Sequence, residues 1–236
     1  DVINKFLPFQ FIDRIYEPIF YSDDFITFAA DKGRFDIIKL FSDTRCIEIR
    51  FNVIYGAAKC GNIEMAEWYM KNHYNQKYGN KIQPYHYEIP SYYAGKYGQL
   101  EFIKWLYLSE ITLSYLVFGG LAEYGDFELF KWVYDNLKII VEPIKMLCQI
   151  AYSGNAKILN WYISTLSDTQ MRNELIGYQK IGNIYLFRNM LLEIIYDNNI
   201  EIYILLHDYL QKLKLNITII SIDSILFAAI STSSRD

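Results

Sequence analysis

The sequence holds few of the residues from which catalytic and metal centres are built. Its histidines are three, His73, His86 and His207, and its cysteines are three, Cys46, Cys60 and Cys148. No Cys-x-x-Cys pair occurs, and no Cys or Asp lies between His73 and His86 at metal-ligand spacing. Three cysteines cannot form a complete disulfide set, which reads as reduced, mostly buried thiols in an intracellular protein. There is no Gly-x-Ser-x-Gly, no Walker loop and no Gly-x-Gly-x-x-Gly. No enzymatic activity, no cofactor and no metal are therefore expected. No apolar run reaches the length of a membrane-spanning helix. The nearest, 215–230, is interrupted by Asn216, Thr218, Ser221, Asp223 and Ser224. A net charge of −4 without any long Lys/Arg run argues against nonspecific nucleic-acid binding. Neither membrane nor nucleic acid is an expected partner.

Apolar residues, by contrast, are plentiful. They make up 52% of the 236 residues, enough for a sizeable core. They are also periodic. Five copies of one unit are marked by Gly33, Gly61, Gly98, Gly125 and Gly154, at steps of 28 (33 to 61), 37 (61 to 98), 27 (98 to 125) and 29 (125 to 154). Such a period signals one supersecondary unit repeated and stacked. Three positions before each mark stands a small residue, Ala30, Ala58, Gly95, Ala122 or Ala151, which lets a neighbouring helix approach closely. The glycine fits a left-handed helix end. The polar residue after it, Arg34, Asn62, Gln99, Asp126 or Asn155, opens a second helix, with Asn and Asp good N-caps. Apolar side chains then fall two, four, five and eight positions past the mark, as in Leu100, Phe102, Ile103 and Leu106, which is helical spacing. All four tryptophans, Trp68, Trp105, Trp132 and Trp161, stand seven positions past a mark. Stacking predicts that they line up at one level of the core or along one edge of it, as packing residues.

The segment Ala57-Ala58-x-x-Gly61-Asn62-Ile63-Glu64, followed by an apolar helix, resembles the ankyrin repeat, and 94–106 looks the same with Gly95 in place of the second alanine. The Glu101-x-x-Lys104-Trp105-Leu106 turn is similar to the divergent ankyrin arrays of large DNA viruses and amoebae. The resemblance covers about 22–163. The Thr-Pro-Leu-His opening is missing from every copy, and the steps are shorter than the family's. The residues lost are assigned to the β-hairpin fingers. The fold class expected is all-α, an ankyrin-like α-solenoid of stacked helix pairs with short or absent fingers. The resemblance implies a protein-interaction scaffold in the cytoplasm, in a host cytoplasm or in a virion, with partners such as host regulators or ubiquitin-ligase components.

Residues 1–21, rich in Phe and Ile with Pro8 and Pro18, read as an N-terminal capping helix, and 22–236 as the repeat array. The array turns irregular from about 164. There Gly182 marks a half-formed unit, and Asn198 marks a helix pair whose first helix is roughly 187–196. A last copy, 224–233, lacks its second helix. The long step of 37 comes from 71–93, where Gly79, Pro84 and Pro90 break regular structure. Its tyrosines suit a binding loop on a rigid scaffold. Tyr74, Tyr78, Tyr85, His86 and Tyr87 are therefore the candidate partner-binding residues, acting with the concave face of the array. The alternative is a structural subunit of a larger assembly, with the same loop as its contact.

Overall fold

The computed structural model describes residues 22–43, 49–74, 88–109, 113–180, 194 and 199–214. Among the described residues all regular structure is helical, as the periodicity required. The helices are α1 (Ser22–Asp31), α2 (Phe35–Asp43), α3 (Asn52–Cys60), α4 (Ile63–Tyr69), α5 (Glu88–Lys96), α6 (Leu100–Leu108), α7 (Leu116–Tyr124), α8 (Phe127–Asn136), α9 (Pro143–Tyr152), α10 (Ala156–Thr165), α11 (Asp168–Lys180) and α12 (Ile200–Lys212). The expected capping helix at 1–21 and the incomplete copy at 224–233 lie outside the described residues.

Each pair from α1/α2 to α9/α10 turns on its marker glycine, all five with positive φ between 65° and 83°. At Gly61 the left-handed residue ends α3, and the next amide, Asn62 N–H, closes on Ala57 O at 2.9 Å. The same closing bond joins Arg34 to Ala29, Gln99 to Ala94 and Asn199 to Ile194. This last bond gives α12 the same entry as the second helices α2, α4 and α6, while Asn198 and most of its expected first helix lie outside the described residues. The second helix is then capped by a side-chain oxygen. Asn62 accepts from Met65 N–H (2.9 Å), Asp126 from Leu129 N–H (3.0 Å), Asn155 from Ile158 N–H (3.1 Å) and Asn199 from Ile202 N–H (3.4 Å). Such a cap contributes about 1 kcal/mol.

The first helices pack one on the next, α1 on α3, α3 on α5, α5 on α7 and α7 on α9, with α11 following on α9. Small residues make this possible. A Cβ on Gly120 would stand 2.1 Å from Tyr92 O, and one on Gly95 2.4 Å from Val117 O, so α5 and α7 cross backbone to backbone. Apolar side chains of the second helices, such as Phe102, Ile103, Leu106, Phe130 and Val133, close the core from the other side.

Three expectations need correction. The 71–93 interval is not loop from its start: α4 runs on as a π-helical turn, Met70–Tyr74, and ends on a buried tyrosine. Pro90 does not break structure either. It sits in the first turn of α5, where a missing N–H leaves no intrahelical bond unmade. And α11 is a full helix packed on α9, in a stretch the sequence reads as irregular. Its composition hides it: within a polar helix the buried apolar side chains, among those described, are Met171 and Leu175, one turn apart.

Candidate interaction surface

The residue two positions before each marker glycine lies at the C-terminal end of a first helix. In the first four units these residues are Asp31, Lys59, Lys96 and Glu123. Stacking brings them together in pairs of opposite sign: Lys59 Nζ lies 2.6 Å from Asp31 Oδ2, and Lys96 Nζ lies 2.7 Å from Glu123 Oε2. Aromatic rings one turn earlier join the same rows. Lys59 sits over the Tyr93 ring at 4.6 Å and Lys96 over that of Tyr92 at 5.5 Å. Tyr92 Oη donates to Glu123 and accepts from Lys96. Burial, and then the bond to Glu123, raises the Tyr92 phenol above its ordinary value. The Glu123 and Tyr92 bonds hold the Lys96 ammonium well above its own. Tyr93 further packs on Tyr55 (6.3 Å) and Tyr97 (6.4 Å), and Asn52 Nδ2 donates to Thr27 Oγ1 at 3.1 Å. The result is a continuous face across α1, α3, α5 and α7, tied crosswise by lysine, tyrosine and carboxylate. Phe28 on α1, Tyr97 directly after α5, Tyr124 on α7 and Tyr152 on α9 are exposed aromatic residues.

The tryptophans form a second, parallel series on the other helices. Trp68 meets Phe35 edge-on at 5.4 Å. Trp105 Nε1 donates to Glu67 Oε1 at 3.0 Å. Trp132 lies under Lys104 Nζ at 5.1 Å, and Trp161 meets Phe127 at 5.6 Å. Each indole therefore reaches back to the preceding second helix. They run along an edge of the core, half-buried, and Trp132 is 37% exposed.

Of the partner-binding residues expected from the sequence, Tyr74 is removed from the surface. It has no exposed area, and its ring packs 5.9 Å from Phe51. Tyr78, Tyr85, His86 and Tyr87 lie outside the described residues. His73, on the π-helical turn, stacks on Tyr69 at 5.6 Å and its Nε2 is 3.2 Å from Ser42 Oγ. Burial lowers its pKa, which favours the neutral ring. Burial raises both described thiols, Cys60 and Cys148, the latter to about 12, so both stay protonated near neutral pH. Among the described residues no cluster of His, Cys, Asp and Glu could hold a metal ion, and no helix is long and apolar enough to cross a membrane.

The lysine–tyrosine–carboxylate rows escape a reading focused on the long loop. Their signal was present all the same: Asp31, Lys59, Lys96 and Glu123 share one offset from the glycine ruler. Set against known proteins, the chain finds no matching family model, no matching curated protein and no matching solved structure.

Proposed function

We propose that the chain is an ankyrin-like array of stacked helix pairs without fingers, serving as a non-catalytic scaffold that binds a protein partner. The contact surface is the face of the first helices, continued by the tyrosine-rich 71–93 segment. One observation carries this reading: rings of Phe28, Tyr97, Tyr124 and Tyr152 stand exposed on the first, third, fourth and fifth units, near side chains already fixed by ion pairs and ring contacts. Tyrosine offers large contact area at low entropic cost, and prefixed neighbours reduce the cost of ordering on binding. Stacked units suit an extended partner, since each adds the same positions to one surface. The triple variant Tyr97→Ala, Tyr124→Ala, Tyr152→Ala tests it in cross-linked capture from cell extract. The comparison is with wild type and with a Glu128→Ala, Lys131→Ala control on the second helices. The expected result is a loss of about tenfold or more of the captured set in the triple variant only, with melting temperature unchanged. Equal capture by all three proteins contradicts the assignment.

A second reading, as a structural subunit, is favoured by one feature of α12. Ile200 and Ile204 are 61% and 51% exposed. Ile200 holds the place that a tryptophan of the next unit covers in Phe35 and Phe127. A native mass spectrum separates the two: a monomer at micromolar concentration opposes the subunit reading.

A further inference from the structure

Between α8, α9, α10 and α11 lies an open cavity of about 430 Å³, a volume in the range of small-molecule sites. Its lining combines aromatic rings, Phe118, Tyr134 and Tyr162, with polar side chains, Lys138, Ser167 and Gln170. Tyr134 stands edge-on to both other rings, 6.1 Å from Phe118 at 66° and 6.2 Å from Tyr162 at 79°. Rings set at such angles form a corner rather than a stack, and such a corner can hold an ammonium group against more than one ring. Two opposite charges at the cavity have no ion pair among the described residues. Lys138 is exposed on its lining. Glu174 lies behind Gln170, whose Nε2 donates to Glu174 Oε1 at 3.4 Å, and Glu174 Oε2 is buried without a hydrogen-bond partner. Burial, and then Tyr134 and Glu174, raises the Tyr162 phenol, so the Glu174 charge is felt at a ring of the lining. The neighbouring acids are already matched, Glu142 by Lys145 at 2.9 Å and Asp168 by Lys212 at 2.8 Å.

We propose that this cavity binds a small soluble zwitterion, its ammonium group among Phe118, Tyr134 and Tyr162 and its carboxylate toward Lys138. A carboxylate shut away from water keeps a strong field, so Glu174 favours a cation on the buried side of the cavity. The rings add a cation–π attraction that grows as the ammonium loses its water. Lys138, at the solvent side, draws the anionic end of the ligand. A purely cationic molecule meets the Lys138 charge and a purely anionic one meets that of Glu174, so the pair selects a ligand carrying both. This site is separate from the first-helix face and stands or falls without it.

Isothermal titration calorimetry of the intact chain with three probes of one shape tests the site. They are γ-butyrobetaine, its cationic analogue butyltrimethylammonium, and the carboxylate in which a tert-butyl group replaces trimethylammonium. Wild type should bind γ-butyrobetaine about tenfold or more tighter than either analogue. Glu174→Gln should weaken both ammonium compounds about tenfold without lowering the melting temperature, since it removes a charge with a buried, unpartnered oxygen. Lys138→Ala should weaken γ-butyrobetaine alone and leave butyltrimethylammonium bound as tightly or more so. No saturable binding of either ammonium compound at millimolar concentration overturns the proposal, as does a Glu174→Gln chain that binds both like wild type. Tightest binding of the carboxylate probe would make the cavity an anion site and overturns it too. Capture of wild type on phosphatidylcholine vesicles, with no response to γ-butyrobetaine, would assign the cavity to a lipid headgroup and overturn the soluble ligand.

Discussion

Asn155 makes two kinds of bond with one amide group. Its Oδ1 accepts from Ile158 N–H at 3.1 Å and caps α10, while its Nδ2 donates to Ala122 O at 3.1 Å, in the unit before. Gln99 keeps only the second role, donating to Lys59 O at 2.8 Å. The polar position after a marker glycine is thus a helix cap, as at Asn62 and Asp126, a tie between units, as at Gln99, or both, as at Asn155, and the sequence discloses only the cap. Asn155→Asp retains an oxygen for Ile158 and loses the donor to Ala122, whereas Asn155→Ala loses both. Urea unfolding should show Asn155→Ala destabilised by about 1–2 kcal/mol and Asn155→Asp by less. Equal losses would mean that the tie, not the cap, carries the effect. His73 offers a pH test at the same scale. Burial places its folded pKa below the ordinary 6.5, so the native state binds fewer protons than the unfolded chain. Stability from this residue is full above the unfolded value and declines as pH falls from there through the folded one. His73→Phe should flatten the dependence of unfolding free energy on pH below 6.5 relative to wild type. Parallel curves for the two proteins would place the titration elsewhere.

At the level of the helix, equal spacing in sequence does not give equal burial. Trp161 of α10 lies among Phe127, Phe130 and Tyr134 of α8, with ring centroids at 5.6, 5.9 and 5.3 Å, all near perpendicular. Trp132 of α8 has Lys104 over its ring and open solvent beside it. Truncating Trp161 to Ala should therefore cost about 3 kcal/mol. Trp132→Ala should cost about 1 kcal/mol or less, the scale of an exposed cation–π contact. Thermal unfolding of the two variants checks the order. The helix pairs themselves were legible because glycine, cap and apolar stripe all point the same way, so local and tertiary preferences agree. What stayed hidden had no local signature. The π-helical turn after Tyr69 ends on Tyr74, whose ring meets Phe51 across more than twenty residues of sequence. Pro90 looked like a breaker because its position relative to the start of α5 is invisible in composition. Helix α11 depends on two buried side chains, Met171 and Leu175, that meet α9 only in three dimensions. The lysine–carboxylate rungs are neighbours only across units, so a reading within one unit misses them.

Among the described residues each first helix packs on the next, so the stability includes local terms from neighbouring helix pairs as well as a continuous apolar core. Those terms are unequal. At the crossing of α5 and α7 the backbones meet so closely at Gly95 and Gly120 that a Cβ at either position would collide with backbone atoms. The layer of α11 and α12 is poorer. Lys212 and Asp168 form an exposed ion pair there at 2.8 Å, worth little in water. Glu174 Oε2 and Tyr209 Oη are buried without a hydrogen-bond partner, and each such atom costs about 1–3 kcal/mol. Burial, and then Asp168, pushes the Tyr209 phenol up to about 12, so it stays protonated and its donor stays idle. This layer should therefore unfold before the rest. Its loss would be silent to one probe and visible to another, since every tryptophan lies between 68 and 161 and Trp161 faces α8 rather than α12. In urea the far-UV circular dichroism transition should begin at a lower concentration than the tryptophan fluorescence transition, with α11 and α12 the least protected in hydrogen exchange. Glu174→Gln with Tyr209→Phe, which removes the buried carboxylate and the idle hydroxyl, should draw the two transitions together. Coincident transitions in the wild-type chain would show a two-state unit, and the partition of stability along the row would then be wrong.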